Sequence, residues 1–229
     1  MCTRYVLKSD PKAISKLFKL EKTFEWKPSY NIAPSHTVPA VIRPLENKKR
    51  QVKMLRWGFM ASWTQGGRLV VNTRAEDIQD RPLFLESFEK WRCLVPMDGF
   101  FEWRHEAKET RPYYFKMKDD KPFAVAGIWA TQTLETGTVD SLSLMTTTPN
   151  EAVRAIHDRM PVILEEKDFG LWMDLEDVRD FKKLKDLLKP FPAEKMTSLP
   201  VTIKVNKPAF NEPECIELSN EPETLSFGF

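Results

Sequence analysis

Three runs in the middle of the chain set the strongest limit on its fold. Tyr113 to Met117, Pro122 to Ala130 and Ser141 to Thr147 are rich in apolar, β-branched and aromatic residues. They are separated by the turn-forming stretches Lys118-Asp119-Asp120-Lys121 and Glu135-Thr136-Gly137-Thr138. Strands that follow one another with no helical periodicity between them exclude a doubly wound parallel sheet, in which strands and helices alternate. A meander-like, antiparallel arrangement is expected.

The flanking sequence adds strands at Thr37 to Ile42, Val52 to Met60 with a break at Gly58, Leu69 to Arg74, Val162 to Leu164 and Pro200 to Asn206. Helices are expected after Ser9-Asp10-Pro11, an N-cap followed by proline at the first helical position, and after Asp80-Arg81-Pro82, where Phe84, Phe88 and Trp91 fall on one face. Shorter ones follow from Asn150 to Ile156, Lys167 to Met173 and Asp177 to Leu188. No repeat or linker divides the chain, so its 229 residues form one domain, with a proline- and glutamate-rich tail from about residue 210 to 229 expected to fray.

Composition narrows the class. The chain is 41% hydrophobic and 30% charged, and no apolar run reaches the ~18 residues of a membrane span. No signal peptide precedes the polar sequence, which points to a cytoplasmic protein, nucleoid-associated if bacterial. A monomer without membrane contact is expected. Three cysteines without paired spacing, and three histidines without ligand spacing, argue against disulfides and metal; no nucleotide-binding glycine loop is present, so no cofactor is expected. A net charge of +2 permits nucleic acid without demonstrating it.

One residue has chemistry that its position creates. If Met1 is trimmed, Cys2 carries an α-amine and a thiol on adjacent carbons. An α-amine titrates at about 7.7 to 8.0, so roughly 10 to 20% is neutral at pH 7 and available to form a Schiff base. The thiol can then close a thiazolidine on the same carbon, which traps an aldehyde. The alternative is an unremarkable cysteine on a loose terminus. Other candidates are equally ambiguous when taken singly. Glu102, flanked by aromatics in Phe100-Phe101-Glu102-Trp103-Arg104, is either a surface partner of Arg104 or a carboxyl in a partly dry pocket with a raised pKa. Strand alternation puts it with Phe100 and Arg104, opposite Phe101 and Trp103. Asn72 and Arg74 share a strand face that could be a polar edge, and His157 lies at a helix end, where the dipole favours its charged form.

Taken in order, Met1-Cys2 with Arg4, Tyr30-Asn31-Ile32-Ala33-Pro34, Arg56-Trp57-Gly58-Phe59 with Trp63, Asn72-Thr73-Arg74-Ala75-Glu76, Asp98 to Trp103 and His157-Asp158-Arg159-Met160-Pro161 resemble the motifs of the SRAP family of abasic-site processing proteins. A weaker echo lies at Val205-Asn206. The resemblance implies an α+β single domain with a mainly antiparallel, barrel-like curved sheet and peripheral helices. It further implies binding of single-stranded DNA and a thiazolidine crosslink between Cys2 and the ring-opened abasic sugar, with self-removal of Met1 and slow strand cleavage as accompanying activities. In that setting Glu102 takes a proton from the Cys2 amine, His157 gives one to the sugar oxygen, and Asn72 holds the sugar or the amine. Arg4, Arg74 and Arg159 hold phosphates; Trp57, Trp63 or Trp103 stacks on a neighbouring base; Asn31 and Pro34 belong to the binding loop. Thr3 departs from the family's usual glycine. Two rivals remain, an N-terminal-nucleophile cysteine amidohydrolase and a non-catalytic binder of single strands or modified bases.

Overall fold

Five strands close into a ring. The computed structural model describes residues 2–60, 69–80, 82–106, 109–134, 137–174 and 181–219. Its strands in chain order are β1 (Tyr5–Leu7), β2 (Ser29–Ile32), β3 (Thr37–Ile42), β4 (Gln51–Trp57), β5 (Phe59–Met60), β6 (Leu69–Val70) and β7 (Asn72–Arg74). They continue with β8 (Arg92–Met97), β9 (Gly99–Glu106), β10 (Glu109–Met117), β11 (Phe123–Leu134), β12 (Gly137–Thr147), β13 (Met160–Pro161), β14 (Ile163–Leu164) and β15 (Met196–Pro200). The helices are α1 (Pro11–Phe18), α2 (Pro82–Lys90), α3 (Glu151–Arg154), α4 (Phe169–Met173) and α5 (Phe181–Leu187). None of the described helices is long and apolar enough to cross a membrane.

The ring runs β12-β4-β3-β8-β11 and returns to β12. Closure leaves these strands without open edges and turns one side chain of every two into a shared interior. The antiparallel expectation holds for most pairs, with two exceptions: β12 pairs in parallel with β4, Leu142 opposite Trp57, and with β7, Leu144 opposite Asn72. The strand expected over Val52 to Met60 does break at Gly58, whose φ of 118° is open to glycine and rarely to other residues. There the Gly58 amide leaves the β3 partner and donates to the Leu142 carbonyl at 2.8 Å.

A second sheet, ordered β15-β10-β9-β1-β2, lies beside the barrel. The chain therefore does not simply meander, because β8 belongs to the barrel and β9, one residue later, to the second sheet. Alternation along β9 feeds two cores, as the sequence pattern predicts. Phe100 stacks on Phe115 at 5.1 Å within the main core, while Phe101 joins Val6, Tyr114, Val201, Val205 and Cys215 in a smaller one. Tyr5 lies opposite Phe100 and Val6 opposite Gly99. Continuing that register brings Thr3 opposite Glu102, and the Phe101 amide donates to the Arg4 carbonyl at 3.0 Å.

The helices cover the barrel. Asp10 caps α1 by accepting from the Lys12 amide, Pro11 follows at the first position, and Lys19 in the left-handed conformation ends it. Its Phe18 stacks on Phe169 at 5.2 Å, which ties α1 to α4. The long helix expected from Asp177 is described only from Phe181, and residues 175–180 lie outside the described set.

Two expectations near the C-terminus are overturned. The strand runs over Met196–Pro200, not Pro200 to Asn206, because its β10 partners end at Tyr113; the following Ile203–Asn206 is a 3-10 turn capped by Thr202. The tail does not begin at 210. Cys215 is fully buried, and Asn211 Oδ1 accepts from the Tyr30 and Asn31 amides at 2.6 and 2.9 Å, so the segment through Ser219 is packed.

Gly99 marks the closest approach in the second sheet. A Cβ there would lie 2.3 Å from Tyr114 Cε2 and 2.4 Å from the Phe115 carbonyl oxygen, and the backbone atom has no room to yield. Gly99→Ala is expected to lower the unfolding free energy by about 3 kcal/mol. Urea titration checks this, and a loss under ~1 kcal/mol would show that the strands can separate at little cost.

Candidate active site

Four elements meet around Cys2. The residue is wholly buried at the entry to β1, and the Asn72 side chain, reaching over from β7, donates from Nδ2 to the Cys2 carbonyl at 2.8 Å. Asn72 Oδ1 is also buried and accepts no hydrogen bond from the described residues. Glu102 comes from β9 on the neighbouring strand, 1% exposed, and His157 from the loop between α3 and β13. His157 Nε2 lies 3.8 Å from Glu102 Oε2. Beside them opens a polar pocket of about 400 Å³, with Thr3 and Arg4 on one lip and Glu102, Trp103, His105, His157 and Asn206 around the rest. A cavity of similar size between Leu17, Phe123, Ile163 and Phe169 is mostly apolar and holds none of these groups.

The surroundings decide the protonation states. Burial pushes the Glu102 carboxyl up to about 8, with the negative charge of Asp158 adding to the rise, so the dry-pocket reading of this residue holds and the surface-partner reading falls. Burial, followed by the charge of Glu102, pushes the Cys2 thiol far above the ordinary range and keeps it protonated. His157 moves the other way. Burial lowers it against the opposing pull of Asp158, which corrects the expectation that a helix dipole would favour its charged form; the helix before it is a single turn.

The tautomer of His157 follows from a fixed donor. The Arg159 amide donates to Nδ1 at 3.0 Å, so Nδ1 of the neutral ring is the acceptor and the proton sits on Nε2, facing Glu102. Asp158 Oδ1 also lies 2.9 Å from Nδ1. Those two contacts make opposite demands on one nitrogen. The backbone N–H cannot turn away, whereas the exposed Asp158 carboxylate can, so the amide contact sets the tautomer.

Several residues expected to touch DNA are otherwise engaged. Trp57 is fully buried, edge-on to Tyr5 at 5.2 Å, and its Nε1 donates to the Val71 carbonyl; a ring inside the barrel wall cannot stack on a base. Asn31 is buried too, donating to the carbonyls of Val205, Lys207 and Phe210, so it holds the C-terminal segment and not a nucleotide. Arg4 is bound to Asn31 Oδ1 at 3.1 Å and to the carbonyls of Val205 and Asn206, which spends three of its five N–H donors within the protein. Arg159 is 8% exposed and forms a two-pronged pair with Glu76, with Nη2 to Oε2 at 2.9 Å and a further bond to the Thr146 carbonyl. It braces the His157 loop.

Arg74 is exposed at the end of β7 and Trp103 is half-buried on the pocket rim, so these two stay available. Pro34 lies in the turn after β2, outside the pocket, and Trp63 lies outside the described residues. Sequence reasoning gave no role to His105, Asn206 or Glu76. The first pairs with Thr110 across the β9–β10 hairpin at 3.2 Å, a contact readable from strand spacing; the other two depend on distant partners. Among the described residues no cluster of acidic, histidine and cysteine groups could hold a metal.

This barrel, with a buried second-position cysteine facing a carboxyl and a histidine, matches a known class. The model of the SOS response associated peptidase (SRAP) family fits residues 1–208, and the chain belongs to that family. Among its relatives is the abasic site processing protein YoqW of Bacillus subtilis, 34% identical over 95% of this chain and 99% of that protein. The abasic site processing protein HMCES of Xenopus tropicalis is 29% identical over 84% of this chain and 66% of its own. A crystal structure of a Bacteroides thetaiotaomicron protein superposes with a TM-score of 0.82 at 25% identity, covering 95% of this chain and all of that one.

The raised carboxyl has a consequence for stability. Folded Glu102 holds its proton up to about 8, while an unfolded one releases it near its ordinary 4.5, so the folded chain binds the extra proton between those values. The contribution is therefore fully present below 4.5 and is lost as pH rises toward about 8. Glu102→Gln is expected to flatten this decline, so that the gap in urea midpoint between pH 5 and pH 8 is smaller than in the parent. An equal gap in both proteins would assign the pH dependence to other groups.

Proposed function

We propose that this protein traps abasic sites in single-stranded DNA as a covalent thiazolidine on Cys2, once Met1 has been removed. The observation that carries the reading is the arrangement at Cys2: a residue sealed between β7 and β9, its carbonyl held by Asn72, with a high-pKa carboxyl and a neutral imidazole in contact beside an open polar pocket. The names of the relatives, abasic site processing proteins, agree with it.

The chemistry follows the protonation states. A thiol kept neutral by burial is a poor first nucleophile, so the amine acts first. It adds to the sugar aldehyde at C1′, and the carbinolamine expels water to give an imine. The thiol sulfur then bonds to C1′ while its proton passes to the imine nitrogen, closing the ring with one water lost overall. Glu102, at about 8, lies close to the ordinary value of a free α-amine, about 7.7 to 8.0, which suits a carboxyl that exchanges a proton with such an amine. The Nε2 proton of His157 is suited to the ring oxygen as the furanose opens. Arg74 meets a flanking phosphate and Trp103 a flanking base, while a duplex would first have to release the nucleotide at a cost of a few kcal/mol.

The same imine gives a slow strand-cleaving elimination, and self-removal of Met1 would be the peptidase activity that the family name describes. The rival amidohydrolase mechanism begins with thiol attack, which the buried, protonated Cys2 disfavours.

Intact-mass measurement after incubation with an abasic oligonucleotide tests the proposal. The expected product is protein plus strand minus one water, absent with an intact strand, with Cys2→Ala and with any fraction retaining Met1. The rate should climb with pH toward about 8 as Glu102 ionises, and Glu102→Gln should slow it about 100-fold and flatten the climb. An adduct of equal yield on Cys2→Ala would overturn the assignment.

A further inference from the structure

The C-terminal segment contributes one residue to the pocket lining, Asn206, and it does more than fill space. Asn206 accepts from Trp103 Nε1 through its side-chain Oδ1 at 2.7 Å and from Arg4 Nη2 through its main-chain carbonyl at 3.2 Å. Its own main chain is fixed from behind. Arg4 Nη1 donates to the Val205 carbonyl at 2.7 Å, and Asn31 Nδ2 bonds the carbonyls of Val205, Lys207 and Phe210. Val205 is wholly buried in the smaller core. The half-exposed Trp103 ring is thus held at its polar edge by an exposed side chain whose own main chain is anchored by Arg4 and flanked by carbonyls bound to Asn31.

From this geometry we infer that Asn206 is a positioning residue for substrate: it locks the Trp103 indole as a rigid stacking wall, so that the base beside an abasic sugar meets a ring already set at the correct angle. An aromatic wall that needs no ordering on binding retains its full stacking gain, whereas a rotating ring loses part of it as side-chain entropy. The inference rests on the proposed DNA reading of the pocket and names the residue that gives Trp103 its part in it. Asn206 touches no reacting atom and acts through the indole.

The test uses the full chain and a single strand carrying tetrahydrofuran, an abasic mimic that has no aldehyde and so reports binding alone. Asn206→Ala is expected to weaken that affinity about tenfold, while the crosslinking rate at saturating abasic strand changes less than about twofold. The Trp103 indole N–H resonance, assigned by its loss in Trp103→Phe, should exchange faster with solvent in Asn206→Ala but stay slow to exchange in Asn206→Asp, which keeps an acceptor at the same position. Because Arg4 and Asn31 bind carbonyls that the substitution leaves intact, the thermal midpoint should fall by no more than about 2 °C. Trp103→Phe combined with Asn206→Ala should lose no more affinity than the worse single variant. Unchanged affinity, or losses that add in the double variant, would overturn the role of Asn206. A parent protein that binds the mimic but forms no adduct with the abasic strand would overturn the crosslinking proposal instead, and the affinity and resonance measurements would still decide Asn206.

Discussion

The pairing of β1 with β9 is the contact on which the site depends. A second-position residue normally belongs to a loose end, with nothing to fix its direction. Here Tyr5 and Val6 of β1 pair with Phe100 and Gly99 of β9, and Asp98, just before β9, clamps the strand's far end. Its carboxylate accepts from the Lys8 and Ser9 amides at 2.6 and 2.8 Å and from the Ser9 hydroxyl, while its own amide donates to the Val6 carbonyl. Cys2 is thereby delivered beside Glu102 by backbone geometry, before any side chain acts on it.

Once Cys2 is in place, dryness governs the chemistry. The same exclusion of water raises the carboxyl, keeps the thiol protonated and strips charge from the histidine, each in the direction that disfavours an isolated ion. The arginines follow a parallel logic. Arg4 and Arg159 are matched with carbonyls or with Glu76, whereas Arg74, at the outer end of its strand, faces solvent.

Local sequence pattern carried a good deal of the molecule. The two faces of β9, the capped α1, the break at Gly58 and the aromatic face of α2 all follow from periodicity and turn chemistry, which operate over a few residues. The type of group near Cys2 was also legible: an amide, a carboxylate and an imidazole. What could not be read was which polar groups were already taken. Arg4 finds its partners 201 and 202 residues away, and Arg159 finds Glu76 83 residues away. Trp57 was a candidate for stacking on a base through the resemblance of its motif alone, yet closure of the barrel turned it inward. Residue type proposes a partner; only the closed topology decides whether a nearer one has claimed it.

The bonds from Arg4 to Val205 and Asn206 set a timetable as well as a shape. A ribosome releases Cys2 first and Asn206 some 200 residues later, which at about 5 to 20 residues per second is a wait of about 10 to 40 s. Glu102 follows about halfway through that interval and the C-terminal wall only at its end, so an aminothiol end that is trimmed early waits in water before either is there to select what approaches it. Cellular aldehydes of any kind could then cap it. Timing of methionine removal relative to docking of the last strands therefore separates a nascent chain that matures into a selective trap from one silenced before it folds.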